Sequence, residues 1–273
     1  MTAWLDAPLT TLSLHDLDFS AGSRARRDVG SPSPSPSPAR LRPAVFLDKD
    51  GTLVEPDDGA VHDPQRLRLL PGAGEALARL SAAGLALVLV TNESGIARGA
   101  FTRAQFARLQ GALLRQLQEG FGVTLDDVAV CPHAPDAQGR PACLCRKPAP
   151  GMLTRAARAH GLDLTRSWML GDLLDDVEAG HRAGATGLLL DTGGETAWRR
   201  SPLREPAGVF SDWPSLADHV LQAHAMNEAS ASTASSAADG LDAAYAAQGM
   251  GQRDAMPSRA TIGVTPAAAP AQV

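Results

Sequence analysis

The 273-residue chain is short of aromatic side chains, of cysteine and of net positive charge, and each shortage removes a class of function. Aromatic residues make up 4% and the formal net charge is −5. The basic, aromatic-bearing face that nucleic acid requires is therefore missing. No apolar run approaches the roughly 20 residues of a membrane-spanning helix. The first twenty residues include Asp6, Asp16 and Asp18 and lack a basic segment leading into an apolar core, which argues against a secretory signal. Three cysteines, all between Cys131 and Cys145, are too few and too clustered for a disulfide framework. They suit a metal site in a reducing compartment, with the cytoplasm as the expected location.

The ends differ from the middle. Residues 22–43 are rich in Ser, Pro and Arg, with consecutive Ser-Pro pairs from Ser31 to Pro38, a composition that favours extended conformations and buries no core. After Met226 the chain turns to Ala, Ser, Gly and Pro and reads as unstructured, apart from a possible helical turn at Leu241–Ala247. The expected organisation is an N-terminal extension over 1–42, one folded domain over 43–225, and a tail over 226–273.

Within that domain, apolar runs alternate with amphipathic stretches. Ala44–Leu47, Leu85–Val90, Asp127–Val130, Trp168–Leu170 and Leu188–Leu190 read as strands. The Leu85–Val90 run is continuously apolar, as in a strand buried on both faces. Helices are predicted over Gly72–Ala83, after the capping box Thr102-Arg103-Ala104-Gln105, after Pro150, and from Leu174 to near Gly184. Pro214–His224 reads as a final surface helix. The alternation predicts an α/β fold, a doubly wound parallel sheet with its site at the carboxyl ends of the strands. No stretch is long enough for a separate cap domain, which leaves the Cys-rich loop and residues 53–70 to shield the site.

Those strand ends carry the chemistry-bearing residues. Phe46-Leu47-Asp48-Lys49-Asp50-Gly51-Thr52 places two acids at the end of the first strand, where one can attack as a nucleophile and the other can move a proton. Thr91-Asn92-Glu93-Ser94-Gly95 could hold an anion with a hydroxyl and backbone amides, or could be an ordinary polar loop. Cys131, His133, Cys143 and Cys145 form a complete tetrahedral set for Zn²⁺ with no position left for water, hence a structural zinc loop. Arg146 and Lys147 follow at once, placed to clamp a phosphate. Asp172, after Leu170-Gly171, can complete an oxygen site for Mg²⁺ with the first acids, or can merely cap a helix. Asp175 and Asp176 are ambiguous in sequence and could do no more than decorate the first helical turn.

In this order, Asp48-x-Asp50-Gly51-Thr52, Thr91, Lys147 and Gly171-Asp172 resemble the four motifs of the haloacid dehalogenase (HAD)-like phosphatases. Thr91–Gly99 and the zinc loop running into Arg146-Lys147-Pro148 narrow the resemblance to the bacterial heptose-bisphosphate phosphatases. The histidinol-phosphate phosphatases, which share the zinc loop, come second. The resemblance covers residues 43 to about 224 and implies a Rossmann-like sheet and a Mg²⁺-dependent attack by Asp48 that forms an aspartyl-phosphate. It implies Asp50 as acid and then base, with Mg²⁺ held by Asp48, the Asp50 carbonyl and Asp172. Thr91 and Lys147 would steady the phosphoryl group. Asp57, Asp58, Gly59, Ala60, Asn92, Glu93, Ser94 and Arg146 would contact the substrate. The implied partner is a small sugar phosphate, with no nucleic acid and no membrane, and the chain is expected to be a monomer. Two positions depart from the family pattern: Glu93 stands where Gln is usual, and Leu173 where Lys is common.

Overall fold

In a computed structural model the described residues are 41–56 and 63–249, with side chains as far as Thr233. The N-terminal extension up to residue 40, and the expected substrate contacts Asp57, Asp58, Gly59 and Ala60, lie outside them. The chain divides into two units, 1–225 and 226–273.

Six parallel strands make the sheet of the first unit: β1 (Ala44–Leu47), β2 (Ala86–Asn92), β3 (Asp127–Cys131), β4 (Trp168–Gly171), β5 (Thr186–Leu190) and β6 (Val209–Phe210). Their spatial order is β3-β2-β1-β4-β5-β6. The chain winds outward from β1 in one direction and then from β4 in the other. The crevice between their carboxyl ends is thus the switch point at which such sheets bind ligands. In register, Val45, Phe46 and Leu47 lie beside Trp168, Met169 and Leu170. The doubly wound parallel sheet is as the sequence predicts; β6, only two residues long, carries too little pattern to be read.

Helices cover both faces: α1 (Ala73–Ala82), α2 (Ser94–Ala97), α3 (Arg103–Phe121), α4 (Gly151–His160), α5 (Leu174–Ala183) and α6 (Trp213–Gly249). Because side chains alternate along a strand, each strand feeds two cores. Val45, Leu47, Leu87, Leu89, Val128 and Leu170 share one core with residues of α1, α3 and α6. Ala44, Phe46, Val88, Val90 and Met169 share the other with residues of α4 and α5. Each large apolar side chain so buried contributes about 1.5–3 kcal/mol, which holds the strand ends in fixed register.

The capping box at Thr102 forms in both directions. Gln105 N–H donates to Thr102 Oγ1 (3.1 Å), and Thr102 N–H donates to Gln105 Oε1 (2.8 Å). The last helix differs from expectation. Leu216, Ala217 and Val220 are buried rather than on the surface, as is Trp213 ahead of the expected start, whose indole Nε1–H donates to Thr52 O at 2.8 Å. In the second unit the chain is helical up to Gly249, where the composition suggested no fixed structure. Alanine has the strongest helix propensity of any residue, and it is frequent there. Among the described residues no helix is long and apolar enough to cross a membrane.

Candidate active site

The centre is built from strand ends. Asp48 follows β1, and its N–H donates to Leu170 O (2.9 Å), which ties it to β4. The chain then reverses at Gly51, whose φ of +82° suits a residue without a Cβ. Asp172 follows β4 and accepts from Thr52 Oγ1 at 3.2 Å. Asp176, in the first turn of α5, accepts from the N–H of Leu173 (3.2 Å). Oxygens of Asp48, Asp172 and Asp176 lie within 4.8 Å of one another, and all three residues are buried.

The chain's two lysines, Lys49 and Lys147, are both buried nearby, and only Lys147 enters this cluster. Lys147 Nζ donates to Asp48 Oδ1 (2.5 Å) and Val90 O (2.9 Å), and pairs with Asp176 Oδ1 at 2.7 Å. Its backbone is clamped by one side chain: Lys147 N–H donates to Asn92 Oδ1 (3.1 Å), and Asn92 Nδ2 donates to Lys147 O (3.2 Å). Burial works against the Lys147 charge, but Asp176 and Asp48 outweigh it and hold its pKa above the ordinary lysine value. Lys49 pairs with Glu93, lies 3.3 Å from Asp50 Oδ2, and sits 5.3 Å over the ring of Phe106. Thr91 Oγ1 also donates to Glu93 (3.0 Å).

Three carboxylates against one ammonium leave the cluster short of positive charge. Burial, with Asp48 adding, pushes Asp172 up to about 6. Burial pushes Asp176 up to about 7, against the opposing pull of Lys147. Asp50 is also pushed up to about 6 by loss of water, with Lys49 opposing and Glu93 and Asp48 adding. A carboxyl near this value can give and take a proton close to neutral pH. The space beside Asp172 is kept open by two glycines. A Cβ at Gly51 would lie 2.3 Å from Asp172 Oδ2, and one at Gly194 would lie 2.1 Å from it. A pocket of oxygens with surplus negative charge fits a hard dication such as Mg²⁺.

A second cluster sits in the loop between β3 and α4. The Sγ atoms of Cys131, Cys143 and Cys145 are 3.2–3.6 Å apart, and His133 Nδ1 lies 3.2 Å from Cys145 Sγ and 3.5 Å from Cys131 Sγ. No disulfide joins them. A tetrahedron with metal–sulfur bonds of about 2.3 Å has edges only slightly longer than these, so the four atoms fit Zn²⁺. Hydrogen bonding to Cys145, and then burial, raise the Cys131 thiol well above its ordinary value. Only a cation lets the three sulfurs coexist as thiolates. The loop is less polar in place than in sequence, because Cys131 and Cys145 are buried in the same core as Phe46 and Met152. Arg146 N–H donates to Cys143 Sγ (3.3 Å), which links the cluster directly to the backbone leading into Lys147.

Beside the carboxylates lies a cavity of about 470 Å³ whose wall includes Asp50, Asn92, Glu93, Ser94, Arg66 and Arg68. Residues 54–56 and 66–68 of the expected shielding segment wall it. The remainder comes from Lys49, Asp50 and residues 92–109, and the zinc loop does not line it.

The HAD-hydrolase-like family profile matches residues 144–216. Over 155 residues the chain is 44% identical to the D-glycero-beta-D-manno-heptose-1,7-bisphosphate 7-phosphatase of Haemophilus ducreyi, covering 56% of this chain and 85% of that one. It is 40% identical over 186 residues to the Escherichia coli enzyme of the same name, covering 66% and 93%. Among solved structures, the D,D-heptose 1,7-bisphosphate phosphatase of B. bronchiseptica, complexed with magnesium and phosphate, superposes with a TM-score of 0.56 at 34% identity, over 66% of this chain and 98% of that one. The chain belongs to the heptose-1,7-bisphosphate 7-phosphatase family of HAD-like hydrolases.

Within this family frame, the strand ends bring Asp48, Asp50, Thr91, Asn92, Glu93, Lys147 and Asp172 to one crevice. Arg146 stands apart from the cavity wall, and its Nη1 donates to His133 O at 3.3 Å. Asp172 does not cap α5; Leu173 holds the N-cap position. Asp176 is the residue that sequence reasoning undervalued. It is buried against Lys147, while its neighbour Asp175 faces outward to Arg204 (2.7 Å). The departure at Glu93 has a local partner in Lys49, which compensates its charge. Leu173 is an exposed apolar residue, and nothing around it explains the departure there.

Proposed function

We propose that the chain hydrolyses D-glycero-D-manno-heptose 1,7-bisphosphate at the 7-phosphate, leaving heptose 1-phosphate and inorganic phosphate. The observation that carries this reading is the buried Asp48–Lys147–Asp176 cluster with Asp50 two residues along, in a chain whose relatives bear that name. Asp48 Oδ attacks phosphorus while the bond to the sugar oxygen breaks, and Asp50 gives its proton to that oxygen. Asp50 then takes a proton from the water that attacks the aspartyl-phosphate, which frees Asp48 and releases phosphate. Lys147 and Thr91 position and neutralise the transferring group, as phosphoryl transfer requires more of charge and alignment than of covalent help. Asn92, Ser94 and Arg146 are proposed to contact the substrate.

Asp48, Asp172 and the Asp50 carbonyl would hold Mg²⁺, with Asp176 beside them. The bound ion supplies charge neutralisation for the phosphoryl oxygens. Zn²⁺ on Cys131, His133, Cys143 and Cys145 is proposed to be structural. Three free thiols gathered for a metal suit a cytoplasmic enzyme.

The test is release of phosphate from the heptose bisphosphate and, in parallel, from histidinol phosphate, with and without Mg²⁺. The bisphosphate is expected to be turned over with much the higher kcat/KM, and only with Mg²⁺. Preference for histidinol phosphate would move the chain to the other zinc-loop phosphatases.

A further inference from the structure

The cavity beside Asp50 has a feature that the cleavage chemistry does not use. Three arginines, Arg66, Arg68 and Arg98, line it together with Asp50 and Ser94. Its other charges are Lys49, shared between Glu93 and Asp50, and Glu55, so the three arginines outnumber the two carboxylates that Lys49 leaves uncompensated. Arg68 Nη1 donates to the carbonyls of Gln65 (2.7 Å) and Leu67 (2.9 Å). Those bonds orient the guanidinium and leave its other donors available. Among the described residues, neither Arg68 nor Arg98 has a carboxylate within ion-pair distance. In a chain of net charge −5, a cavity lined by three arginines and one lysine against three carboxylates is a local reversal of sign.

We propose that Arg66, Arg68 and Arg98 form the subsite for the second anionic group of the substrate, the phosphate that is not cleaved. The inference rests on the bisphosphate reading above. One phosphate is attacked at Asp48, the sugar lies along the apolar wall of Phe101 and Phe106, and the far phosphate meets the arginines. Guanidinium groups suit this role, because their donor geometry matches two phosphate oxygens at once. Arg146 is outside this cavity wall, so the contacts to the far phosphate are assigned to the segment after β1 and the turn after α2.

The experiment compares the heptose bisphosphate with the same heptose carrying only the 7-phosphate, and reads the ratio of the two kcat/KM values. In Arg68→Ala and Arg98→Ala, that ratio is expected to fall roughly tenfold or more, the worth of a charge-assisted hydrogen bond. The fall should come chiefly through KM for the bisphosphate, and Arg68→Lys should keep part of the ratio. Arg68→Ala also removes two bonds to the backbone, so Arg98→Ala, which breaks no such bond, decides if the first variant is unstable. A ratio unchanged from the parent in Arg98→Ala and in folded Arg68→Ala overturns the subsite, while the bisphosphate reading stands. If the parent protein itself shows no preference for the second phosphate, the bisphosphate reading falls and the subsite falls with it.

Discussion

The carboxylate crevice and the Cys/His knuckle both crowd electron-rich side chains into a small space, and they resolve the crowding differently. The knuckle gathers three sulfurs and a ring nitrogen from a fifteen-residue stretch of one loop, with every position of a tetrahedron filled. The crevice gathers Asp48, Asp172 and Asp176 from two strand ends and a helix, adds Lys147 from beyond the knuckle, and still carries surplus negative charge. A closed set of soft ligands stabilises a local fold. An open set of hard ligands, with carboxyls raised to about 6 and 7, keeps capacity for a cation and a phosphoryl group. The two are joined through Cys143, Arg146 and Lys147, so the knuckle is tied to the backbone that carries Lys147 into the crevice.

The sharpest way to break this comparison is at the crevice. Asp48→Asn removes the attacking charge with almost no change in volume, and it relieves repulsion with Asp172 and Asp176. Turnover should disappear while thermal stability holds or rises. Substantial remaining phosphatase activity would show that another residue attacks, and the crevice would lose its assigned role.

A smaller but still large effect is expected at the knuckle. Cys145→Ser should weaken zinc binding, loosen the loop and make it sensitive to proteolysis. Lys147 would then lose its fixed approach to Asp48, and misplacing a charge-stabilising group can cost on the order of a hundredfold in rate. Mg²⁺ affinity, measured separately, should change little, because none of its ligands lies in the loop. Full activity of zinc-loaded enzyme without Mg²⁺ would instead make zinc the catalytic ion and erase the division of labour.

The difference between the two clusters also explains how much could be read in sequence. The knuckle was legible because its four ligands are neighbours in the chain and their spacing alone defines the site. Asp48 and Asp50 were legible because a strand, a pair of acids and a glycine turn are contiguous. Asp176 was not, since an acid in a first helical turn has many uses, and only the packing of α5 against β4 aims it at Lys147. The Lys49–Glu93 pair spans 44 residues and depends on β1 and β2 lying side by side. Trp213 lies just ahead of the stretch read as a surface helix, and what buries it, the turn after β1, is distant in sequence. The arginines of the cavity carry no motif at all; they are ordinary loop residues until the fold sets them around one space.

The smallest expected effect separates the clusters by pH. Asp172 and Asp176 are raised from an ordinary 3.8 to about 6 and about 7, so the fold favours their neutral forms. The stability they contribute is complete below about pH 4 and is lost as pH rises through 6 and 7. Lys147 remains charged across this range and does not alter the sign. Zinc-loaded protein freed of Mg²⁺ should therefore show a Tm that falls by several degrees between pH 5 and 8, and saturating Mg²⁺ should restore it by binding the ionised carboxylates. The knuckle should respond in the opposite sense, releasing zinc only on acidification as its thiolates protonate. Asp176→Asn supplies the control, because it removes the more strongly shifted of the two carboxyls and should flatten the Mg²⁺-free slope. An equal slope in that variant would place the pH dependence elsewhere and leave the crevice without its predicted excess of charge.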